Sequence, residues 1–461
     1  MESSDLYKNF KGKRVLVMGL GRFGGGIGVS KFLAQEGAHV KVTDLAGEDE
    51  LTESIKQLAG LNIEYHLGGH REEDFAEADL IVVNPAVHKD SPWLKVAREH
   101  KVRLTSEMNI FFALCPTPII GVTGSNGKST TTAMIGEILK ASRGKANNQQ
   151  GNSKVWVGGN IGQGSLLVRI KEISRADIVV LELSSFQLYD LGEVECSPHI
   201  AVVTNIAPNH LDWHGSMKEY INAKQNIFRF QNQNDYLVLN SEDEELKKWG
   251  ELTDSKVVWY PEGDRGLRNR EYEIEDIKLK VPGRHNRMNA AAALAAVGTM
   301  GLDLAEALKA LEEYAGLEHR LEFVGEIEGV RYYNDSIATT PESAIAALES
   351  FNQKKIMILG GYDKKIPLEG LVKKIVGQVE VVILIGEVRN GLADLIERER
   401  KDRKERLPVW EKADTLEQAV SLCREYAKEG MVVLFSPGCA SYDMFRNFQE
   451  RGEKFKGLVN G

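Results

Sequence analysis

The sequence predicts an α/β protein with three domains, each built on its own parallel sheet. Short runs rich in Val, Ile and Leu alternate with longer amphipathic segments along almost the whole chain. This alternation is typical of parallel strands that are covered by helices on both faces. The chain has 461 residues, and at roughly 150 residues per domain this length corresponds to about three domains.

The predicted strands are spread over all three thirds of the chain. They lie at 14–18, 40–43 and 80–83, then at 119–123, 178–183, 200–204 and 236–239, and finally at 355–359, 379–385 and 431–436. Prolines around 112–118 and a glycine within 314–317 interrupt the pattern, so we predict domains over 1–112, 113–316 and 317–461. One Ala-rich helix is predicted from near Asn286 to the second boundary, and 143–154 and 261–276 are predicted surface excursions.

Composition excludes several classes of protein. Hydrophobic residues make up 42% and charged residues 27% of the chain, a balance that argues against disorder and against a fibrous fold. The net charge of −9 argues against nucleic acid or an anionic membrane as a partner. Four scattered cysteines indicate neither a disulfide framework nor a zinc ribbon. We therefore expect a soluble cytoplasmic protein without stable membrane association.

A glycine-rich turn follows the first predicted strand. Gly19, Gly21 and Gly24 match the spacing G-x-G-x-x-G, and Asp44 ends the next strand about 20 residues later. The missing Cβ atoms allow a pyrophosphate to approach the backbone, so Gly21 and Asp44 are candidate binding residues for a nucleoside diphosphate. An NAD-dependent dehydrogenase and a purely structural turn are the alternatives. The helix start departs from the usual apolar pattern at three further glycines, Gly25, Gly26 and Gly28.

A second glycine-rich loop follows the strand at 119–123. It reads Gly124, Ser125, Asn126, Gly127, Lys128, Ser129 and Thr130, and a helical segment comes next. Backbone N–H groups of such a loop cradle phosphates, the lysine balances their charge and the hydroxyl binds Mg²⁺. Val122 stands where a standard P-loop has its first glycine, so this loop is shortened. The sequence predicts an ATP and Mg²⁺ site here, with a P-loop switch or motor as an alternative.

The shortened loop and several other segments resemble the Mur ligase family over essentially the full chain. The matching segments lie at 158–162, 182–188, 209–212, 223–224, 285–289, 319–320, 334–336 and 436–441. The resemblance implies a Rossmann-like domain for a UDP-linked substrate, a central P-loop ATPase domain and a Rossmann-like glutamate-binding domain. It also implies ATP-dependent addition of D-glutamate to UDP-N-acetylmuramoyl-L-alanine through an acyl phosphate, in the synthesis of peptidoglycan precursors. We expect a monomer that acts on these small molecules.

Four central residues have chemistry of their own. Glu182 closes an apolar strand, so its carboxylate should emerge at the ligand-binding edge of a sheet. Lys224 lies on the apolar stripe of a helix, where an unpaired ammonium is costly, although snorkelling to solvent is an alternative. His210 and His214 could form a zinc pair, but no third ligand has convincing spacing, and His214 is expected to be structural.

Family resemblance assigns roles to these central residues and to their neighbours. Ser129 and Glu182 would hold the Mg²⁺ shared with ATP, and Asn160 would lie near the reacting phosphate. His210 and a carbamylated Lys224 would bind metal, giving two Mg²⁺ sites. Lys128, His210, Lys224 and Arg320 would be catalytic.

The same resemblance assigns the remaining nucleotide-binding residues and the residues of the third domain. Arg320 would bind the γ-phosphate after domain closure, Asn286 and Asn289 would contact adenine, and Asp335 would lie near the ribose. The substrate positions would be His319, Thr339, Lys364, Ser441 and Phe448. Ile337 departs from the family pattern, in which many relatives have a lysine beside the glutamate carboxylate. An L-glutamate-adding variant therefore stays open as an alternative. A folylpolyglutamate synthetase would share the central site and is a further alternative, although the N-terminal domain with its G-x-G-x-x-G turn argues against it.

Overall fold

Three sheets form the framework of the protein. The computed structural model describes residues 7, 9–21, 25–145, 153–161, 164–261, 277–364 and 366–461, with only the backbone at 143–145. The three sheets have five, six and six strands in these residues. The predicted α/β class and its three-domain architecture are therefore confirmed.

The first sheet is parallel throughout and has the order β3-β2-β1-β4-β5. Its strands are β1 (Arg14–Met18), β2 (His39–Asp44), β3 (Ile63–Leu67), β4 (Leu80–Val83) and β5 (Arg103–Thr105). Its helices are α1 (Gly25–Gln35), α2 (Glu48–Lys56), α3 (Glu72–Glu77), α4 (Pro92–Glu99) and α5 (Glu107–Leu114). The strand order reverses between β1 and β4, and ligands bind at such a switch point in open α/β sheets.

The second sheet is also parallel and has the order β11-β10-β9-β6-β8-β7. Its strands are β6 (Ile119–Thr123), β7 (Val155–Gly159), β8 (Ile178–Glu182), β9 (Ile200–Val203), β10 (Tyr236–Asn240) and β11 (Lys256–Tyr260). The helices are α6 (Lys128–Lys145), α7 (Ser185–Glu193), α8 (Leu211–His214), α9 (Met217–Gln225), α10 (Glu244–Trp249), α11 (Arg284–Gly298) and α12 (Leu304–Glu313), with a 3-10 helix at Leu166–Glu172.

The third sheet is mixed and has the order β12-β13-β17-β14-β15-β16. Its strands are β12 (Glu322–Ile327), β13 (Val330–Asn334), β14 (Lys355–Gly360), β15 (Val381–Ile385), β16 (Val409–Lys412) and β17 (Val432–Phe435). Its helices are α13 (Pro341–Leu348), α14 (Glu369–Ile375), α15 (Arg389–Arg403), α16 (Leu416–Tyr426) and α17 (Phe448–Asn460). The first strand, β12, runs antiparallel to β13 at one edge, while the other strands are parallel. The prediction of a parallel sheet is therefore wrong for this edge of the third sheet, where a two-residue turn joins β12 to β13 and reverses the chain.

The ten predicted strands are all present, with ends shifted by at most two residues. The strands that the sequence did not reveal are β13 and the edge strands of all three sheets. An edge strand has one open side and needs no continuous apolar run. The five residues of β3, for example, are all half-buried or exposed.

The chain divides into two compact units. The first unit comprises Met1–Asp276 and Met288–Leu311 and contains the first two sheets, and the second comprises Ile277–Arg287 and Glu312–Gly461 and contains the third. The predicted domain boundaries stay predictions. No helix in the described ranges combines the length and apolar character needed to cross a lipid bilayer.

The single Ala-rich helix predicted before the second boundary is wrong. The structure has two helices there, because α11 ends at Gly298 and α12 begins at Leu304. Gly301, between them, has a φ of 74°, a left-handed conformation that interrupts a right-handed helix. The predicted excursions at 143–154 and 261–276 lie mostly outside the described residues.

Candidate substrate cleft and nucleotide site

The glycine turn after β1 is closed by a side chain of the protein itself. Gly19 and Gly21 both have positive φ, 91° and 63°. Asp44 Oδ2 accepts hydrogen bonds from the N–H groups of Leu20 at 2.8 Å and Gly21 at 3.1 Å. These two turn amides therefore donate to a side chain of the protein itself. Gly24 lies outside the described residues, as do Arg22 and Phe23.

The additional glycines of α1 each lie against another part of the first unit. A Cβ on Gly26 would overlap the carbonyl oxygen of Leu20, and one on Gly28 would overlap Ser165. A Cβ on Gly25 would lie 3.1 Å from Glu107 Oε2. The unusual helix start thus lets the turn fold over α1 and admits side chains from α5 and from the start of the 3-10 helix.

A cleft of about 880 Å³ lies within the first unit and is lined by both of its sheets. One wall contains the glycine turn, Asp44, exposed Leu45 and Trp93, and the other contains Asn160 and Phe186. Ligand sites for drug-sized molecules typically have volumes of about 300–1,000 Å³. Three predicted substrate residues, Gly21, Asp44 and Asn160, therefore line one cleft large enough for a nucleotide sugar.

The loop between β6 and α6 has the geometry of a phosphate-binding loop. Gly124 and Gly127 have φ values of 147° and 83°, and a Cβ on either would overlap Thr204 or Asn289, respectively. The first turn of a helix leaves its N–H groups without intrahelical acceptors, and α6 begins at Lys128. An anion at this position would meet the positive end of the helix dipole.

Two lysines converge on the carbonyl side of this loop. Lys128 Nζ donates to Gly124 O at 3.0 Å and Ser125 O at 2.9 Å. Lys224 Nζ donates to the same Gly124 O at 2.8 Å and to Thr123 Oγ1 at 3.1 Å. Lys224 is 1% exposed, so its predicted place on the apolar stripe is confirmed and the snorkelling alternative is wrong.

Electrostatics at Lys224 favour its neutral amine. Burial lowers the pKa of Lys224 well below its ordinary value, and the nearby Lys128 ammonium lowers it further. The Glu182 carboxylate offsets part of this effect. Lys128, Lys224 and Glu182 therefore lie close enough to influence one another.

Glu182 provides a buried acceptor that the protein does not satisfy. It ends β8 as predicted, and its Oε1 accepts a hydrogen bond from Asn160 Nδ2 at 2.9 Å. Its Oε2 is buried and has no hydrogen-bond partner among the described residues. Buried carboxylate oxygens are normally paired, and Mg²⁺ prefers oxygen ligands. The residues present therefore fit a magnesium ion, with half-buried Ser129 at the start of α6 as a second oxygen donor.

His210 and His214 have different environments. His210 is exposed, has a φ of 53°, and its ring lies 4.9 Å from that of Phe186. Partial desolvation and the Lys128 ammonium lower the pKa of His210. His214 is buried, its Nε2 lies 2.9 Å from Ser185 Oγ, and burial lowers its pKa to about 4. This hydrogen bond supports the structural role expected for His214 and leaves His210 as the candidate ligand.

Both predicted adenine residues are buried on α11, although an asparagine pair on an Ala-rich helix is more often exposed. Asn286 is 5% and Asn289 is 6% exposed. Asn289 packs against Gly127 of the phosphate loop, and Asn286 Nδ2 donates to Pro282 O at 2.6 Å.

In the second unit, Arg320 lies in a strained turn. The residues on either side, His319 and Leu321, have φ values of 62° and 44°, which cost energy for residues other than glycine. Asp335 Oδ1 accepts from Leu321 N at 3.1 Å, and its Oδ2 accepts from Ser436 Oγ at 2.7 Å. Burial raises the pKa of Asp335 to about 7, and the hydrogen bond from Ser436 opposes this rise. Arg320 Nε is buried without a hydrogen-bond partner in the described chain.

The predicted glutamate-binding residues lie near the carboxyl ends of β13, β14 and β17. Thr339 and Lys364 line one small pocket together with Cys439. Ser441 is buried after β17, and the ring of Phe448 lies 6.0 Å from that of His319. Ser441 and Phe448 do not line the pocket that contains Thr339 and Lys364.

Sequence reasoning missed a buried arginine that joins these loops. Arg451 is 1% exposed, and its guanidinium donates to Ser336 O at 2.7 Å, Cys439 O at 3.0 Å and Ala440 O at 3.1 Å. Burial lowers its pKa to about 10. On α17 this arginine lies between Phe448 and Phe455, a helical spacing that could have indicated its inward orientation.

Family patterns match three successive parts of the chain. The pattern of the Mur ligase MurD-like N-terminal domain matches residues 13–106. The Mur ligase middle domain matches residues 122–297, and the glutamate ligase domain of Mur ligases matches residues 319–439.

Curated relatives are similar over nearly their full lengths. The chain is 42% identical over 474 residues to the UDP-N-acetylmuramoylalanine–D-glutamate ligase of Roseiflexus sp. (strain RS-1), which covers 97% of this chain and 98% of that protein. It is 40% identical over 479 residues to the protein of the same name from Acetivibrio thermocellus, covering 99% and 98%.

Solved structures show the same fold. The UDP-N-acetylmuramate-alanine ligase MurC from Thermotoga maritima has a TM-score of 0.62 at 22% identity, covering 97% of this chain and 99% of that one. MurF from Acinetobacter baumannii has a TM-score of 0.55 at 16% identity, covering 100% and 93%. The dehydrogenase alternative finds no support in any of these comparisons.

Proposed function

The chain belongs to the Mur ligase family of ATP-dependent amide-bond-forming ligases, and we propose that it joins D-glutamate to UDP-N-acetylmuramoyl-L-alanine. The observation that carries the proposal is the cleft of the first unit, which extends from the glycine turn to Asn160. Asn160 is hydrogen-bonded to Glu182, next to the strand that leads into the phosphate loop. A UDP-linked acid bound in this cleft would direct its carboxylate toward ATP.

The chemistry follows from the weakness of a carboxylate as an electrophile. Transfer of the γ-phosphoryl group of ATP to the alanine carboxylate gives an acyl phosphate and ADP. The amine of glutamate then attacks the acyl carbon, and inorganic phosphate leaves with its bonding electrons as the amide forms. Lys128 and the amides at the start of α6 would hold the phosphates and neutralise their charge.

Two magnesium ions would complete this site, and they would supply charge neutralisation during phosphoryl transfer. Ser129 and Glu182 would hold the ion shared with ATP. His210 and Lys224 would hold the second, with Lys224 carbamylated. Carbamylation joins the neutral amine to CO₂, releases one proton and replaces a buried cation by an oxygen ligand. The lowered pKa of Lys224 supports this step because only the neutral amine is nucleophilic.

Carbamylation can be tested without measuring activity. Protein equilibrated with ¹³C-bicarbonate should show a carbamate carbon signal by NMR, and Lys224→Arg should lack it. Lys218→Arg, an exposed position on the same helix, should retain the signal. A wild-type spectrum without this resonance would contradict carbamylation while leaving the ligase assignment in place.

We assign the remaining nucleotide residues and the glutamate residues by the family resemblance. Arg320 would bind the γ-phosphate, and Asp335 would lie near the ribose, with Asn286 and Asn289 at the adenine. Glutamate would be bound by residues at the carboxyl edge of the third sheet, namely His319, Thr339, Lys364, Ser441 and Phe448. The strained turn at Arg320 and its buried Nε support a role in anion binding.

Phosphate release measures the whole reaction. With ATP, Mg²⁺ and UDP-N-acetylmuramoyl-L-alanine, we expect release on addition of D-glutamate and little with L-glutamate. Preference for L-glutamate would identify the variant suggested by Ile337. Release that is independent of the UDP-linked substrate would contradict the proposed function.

A further inference from the structure

One carboxylate in the cleft has no role in the mechanism above. Glu107 lines the cleft at the start of α5, next to the N-cap residue Ser106. A glutamate in the first turn of a helix is favourable for the helix dipole alone. However, Glu107 Oε2 also lies close to Gly25, because a Cβ on Gly25 would be 3.1 Å from it. The carboxylate therefore extends from the first turn of α5 to α1.

Ser165 lies beside Glu107 and is part of the same cleft wall. Its Oγ accepts from Leu167 N at 3.1 Å, which caps the 3-10 helix, and its hydroxyl lies near the Glu107 carboxylate. Gly28 makes room for Ser165, because a Cβ there would overlap it. Two of the three glycines that depart from the usual start of α1, Gly25 and Gly28, are thus the positions that admit Glu107 and Ser165.

The other groups of the cleft indicate what this pair would meet. The same cleft is lined by the glycine turn and by Asn160, which contacts Glu182 near the phosphate loop. In a UDP-linked muramoyl substrate, the sugar ring lies between the diphosphate and the acid. A carboxylate accepts hydrogen bonds from sugar hydroxyls but repels phosphates and acids. The group that fits beside Glu107 is therefore neutral and rich in hydroxyls.

We propose that Glu107 and Ser165 form a subsite for the hydroxyl groups of the substrate's sugar ring. This inference rests on the proposed function and adds the residues that recognise the sugar. Burial raises the pKa of Glu107 to about 7, and the nearby Ser165 hydroxyl opposes this rise.

Binding measured without ATP separates the contribution of the sugar to affinity from that of the nucleotide. Isothermal titration of the full-length protein with UDP and with UDP-N-acetylmuramoyl-L-alanine gives two dissociation constants per variant. Glu107→Ala should weaken binding of the sugar-linked ligand about tenfold or more, the loss expected for a charge-assisted hydrogen bond. Its affinity for UDP should stay within about twofold, which also shows that the variant is folded.

Further variants make the test specific. Glu107→Gln keeps an acceptor oxygen and should lose less than Glu107→Ala, and Ser165→Ala should show a smaller loss confined to the sugar-linked ligand. The control is Glu172→Gln, at an exposed residue that pairs with Arg169 at the end of the same 3-10 helix. This variant should bind both ligands as the wild type does.

Different outcomes would overturn different proposals. Equal losses for both ligands in Glu107→Ala, or no loss for either, would overturn the sugar subsite alone. Failure of the wild-type protein to bind either UDP ligand would overturn the proposed function and the subsite with it. If Glu107→Ala does not fold, the two dissociation constants are compared for Glu107→Gln and Ser165→Ala instead. An unchanged ratio of these constants in both variants would overturn the subsite.

Discussion

Lys224 has a basic side chain, but it lies at a buried position that excludes water. Its Nζ donates to Gly124 O and Thr123 Oγ1 beneath the phosphate loop. These contacts hold the side chain of Lys224, which extends from α9, against the strand and loop of the candidate ATP site. Its proposed modification would turn an electrostatically unfavourable cation into a metal ligand.

Lys224→Ala should abolish ligation, and added bicarbonate should not rescue it, because the carbamate needs the lysine amine. Phosphate release with both substrates measures this loss. The control is Lys218→Ala on the same helix, whose side chain is exposed, and its turnover should be unchanged. Full activity in Lys224→Ala would remove Lys224 from the metal site.

The raised pKa of Asp190 should make the free energy of unfolding depend on pH. Burial raises its pKa to about 8, and the nearby Glu193 raises it further. The unfolded carboxyl loses its proton near its ordinary pKa of 3.8, whereas the folded one keeps it to about pH 8. Between these values the folded state binds more protons, so this contribution to stability falls as the pH rises.

Asp190→Asn should remove this dependence. In thermal unfolding at pH 5, 6.5 and 8, the melting temperature of the variant relative to wild type should increase with pH. Asp254→Asn, at an exposed position, should show no such trend. A difference that stays constant across this range would contradict the shifted pKa.

At the scale of elements, the start of α1 determines the geometry of the glycine turn. Gly26 lies so close to the carbonyl oxygens of Gly19 and Leu20 that a Cβ would overlap both. The neighbouring atoms belong to the backbone and cannot rotate away as a side chain could. The turn and the helix therefore depend on glycine at this position.

Gly26→Ala should lower the free energy of unfolding by about 1–3 kcal/mol, the usual range for overpacking, and should weaken UDP binding. Chemical denaturation and UDP titration measure the two effects. Gly47→Ala is the matched control, because a Cβ there has no neighbour within 4 Å and its φ is −77°. Equal behaviour of the two variants would show that the turn can shift to accept a side chain.

At the scale of the whole molecule, the proposed reaction needs groups from both units. The first unit contains the phosphate loop, Glu182 and the substrate cleft, and the second contains Arg320 and the candidate glutamate residues. Residues of the second unit that act on ATP should therefore affect turnover more than stability.

Arg320→Ala should reduce turnover at least 100-fold, on the order expected for loss of a charge that stabilises phosphoryl transfer, and should leave the melting temperature nearly unchanged. Steady-state phosphate release and thermal unfolding measure the two properties. Arg398→Ala, an exposed arginine on α15, should change neither. Unchanged turnover in Arg320→Ala would exclude the γ-phosphate assignment.

The sequence alone determined the fold class, the inner strands other than β13 and the phosphate loop. Inner parallel strands such as β1, β6 and β14 are buried on both faces, so each must be a continuous apolar run. Glycines at 124 and 127 and the lysine at 128 are required by local backbone geometry and by charge. Such local constraints can therefore be recognised directly in the sequence.

The tertiary structure decided the features that depend on distant parts of the chain. The edge strands are defined by a neighbour on one side only, so their composition is weakly constrained. Asp44 closes a turn that lies more than twenty residues earlier, and Arg451 joins loops that are far apart in sequence. Glu107 faces Gly25 and Ser165 only because α5, α1 and the 3-10 helix pack together. Such contacts arise from packing, which residue spacing does not encode.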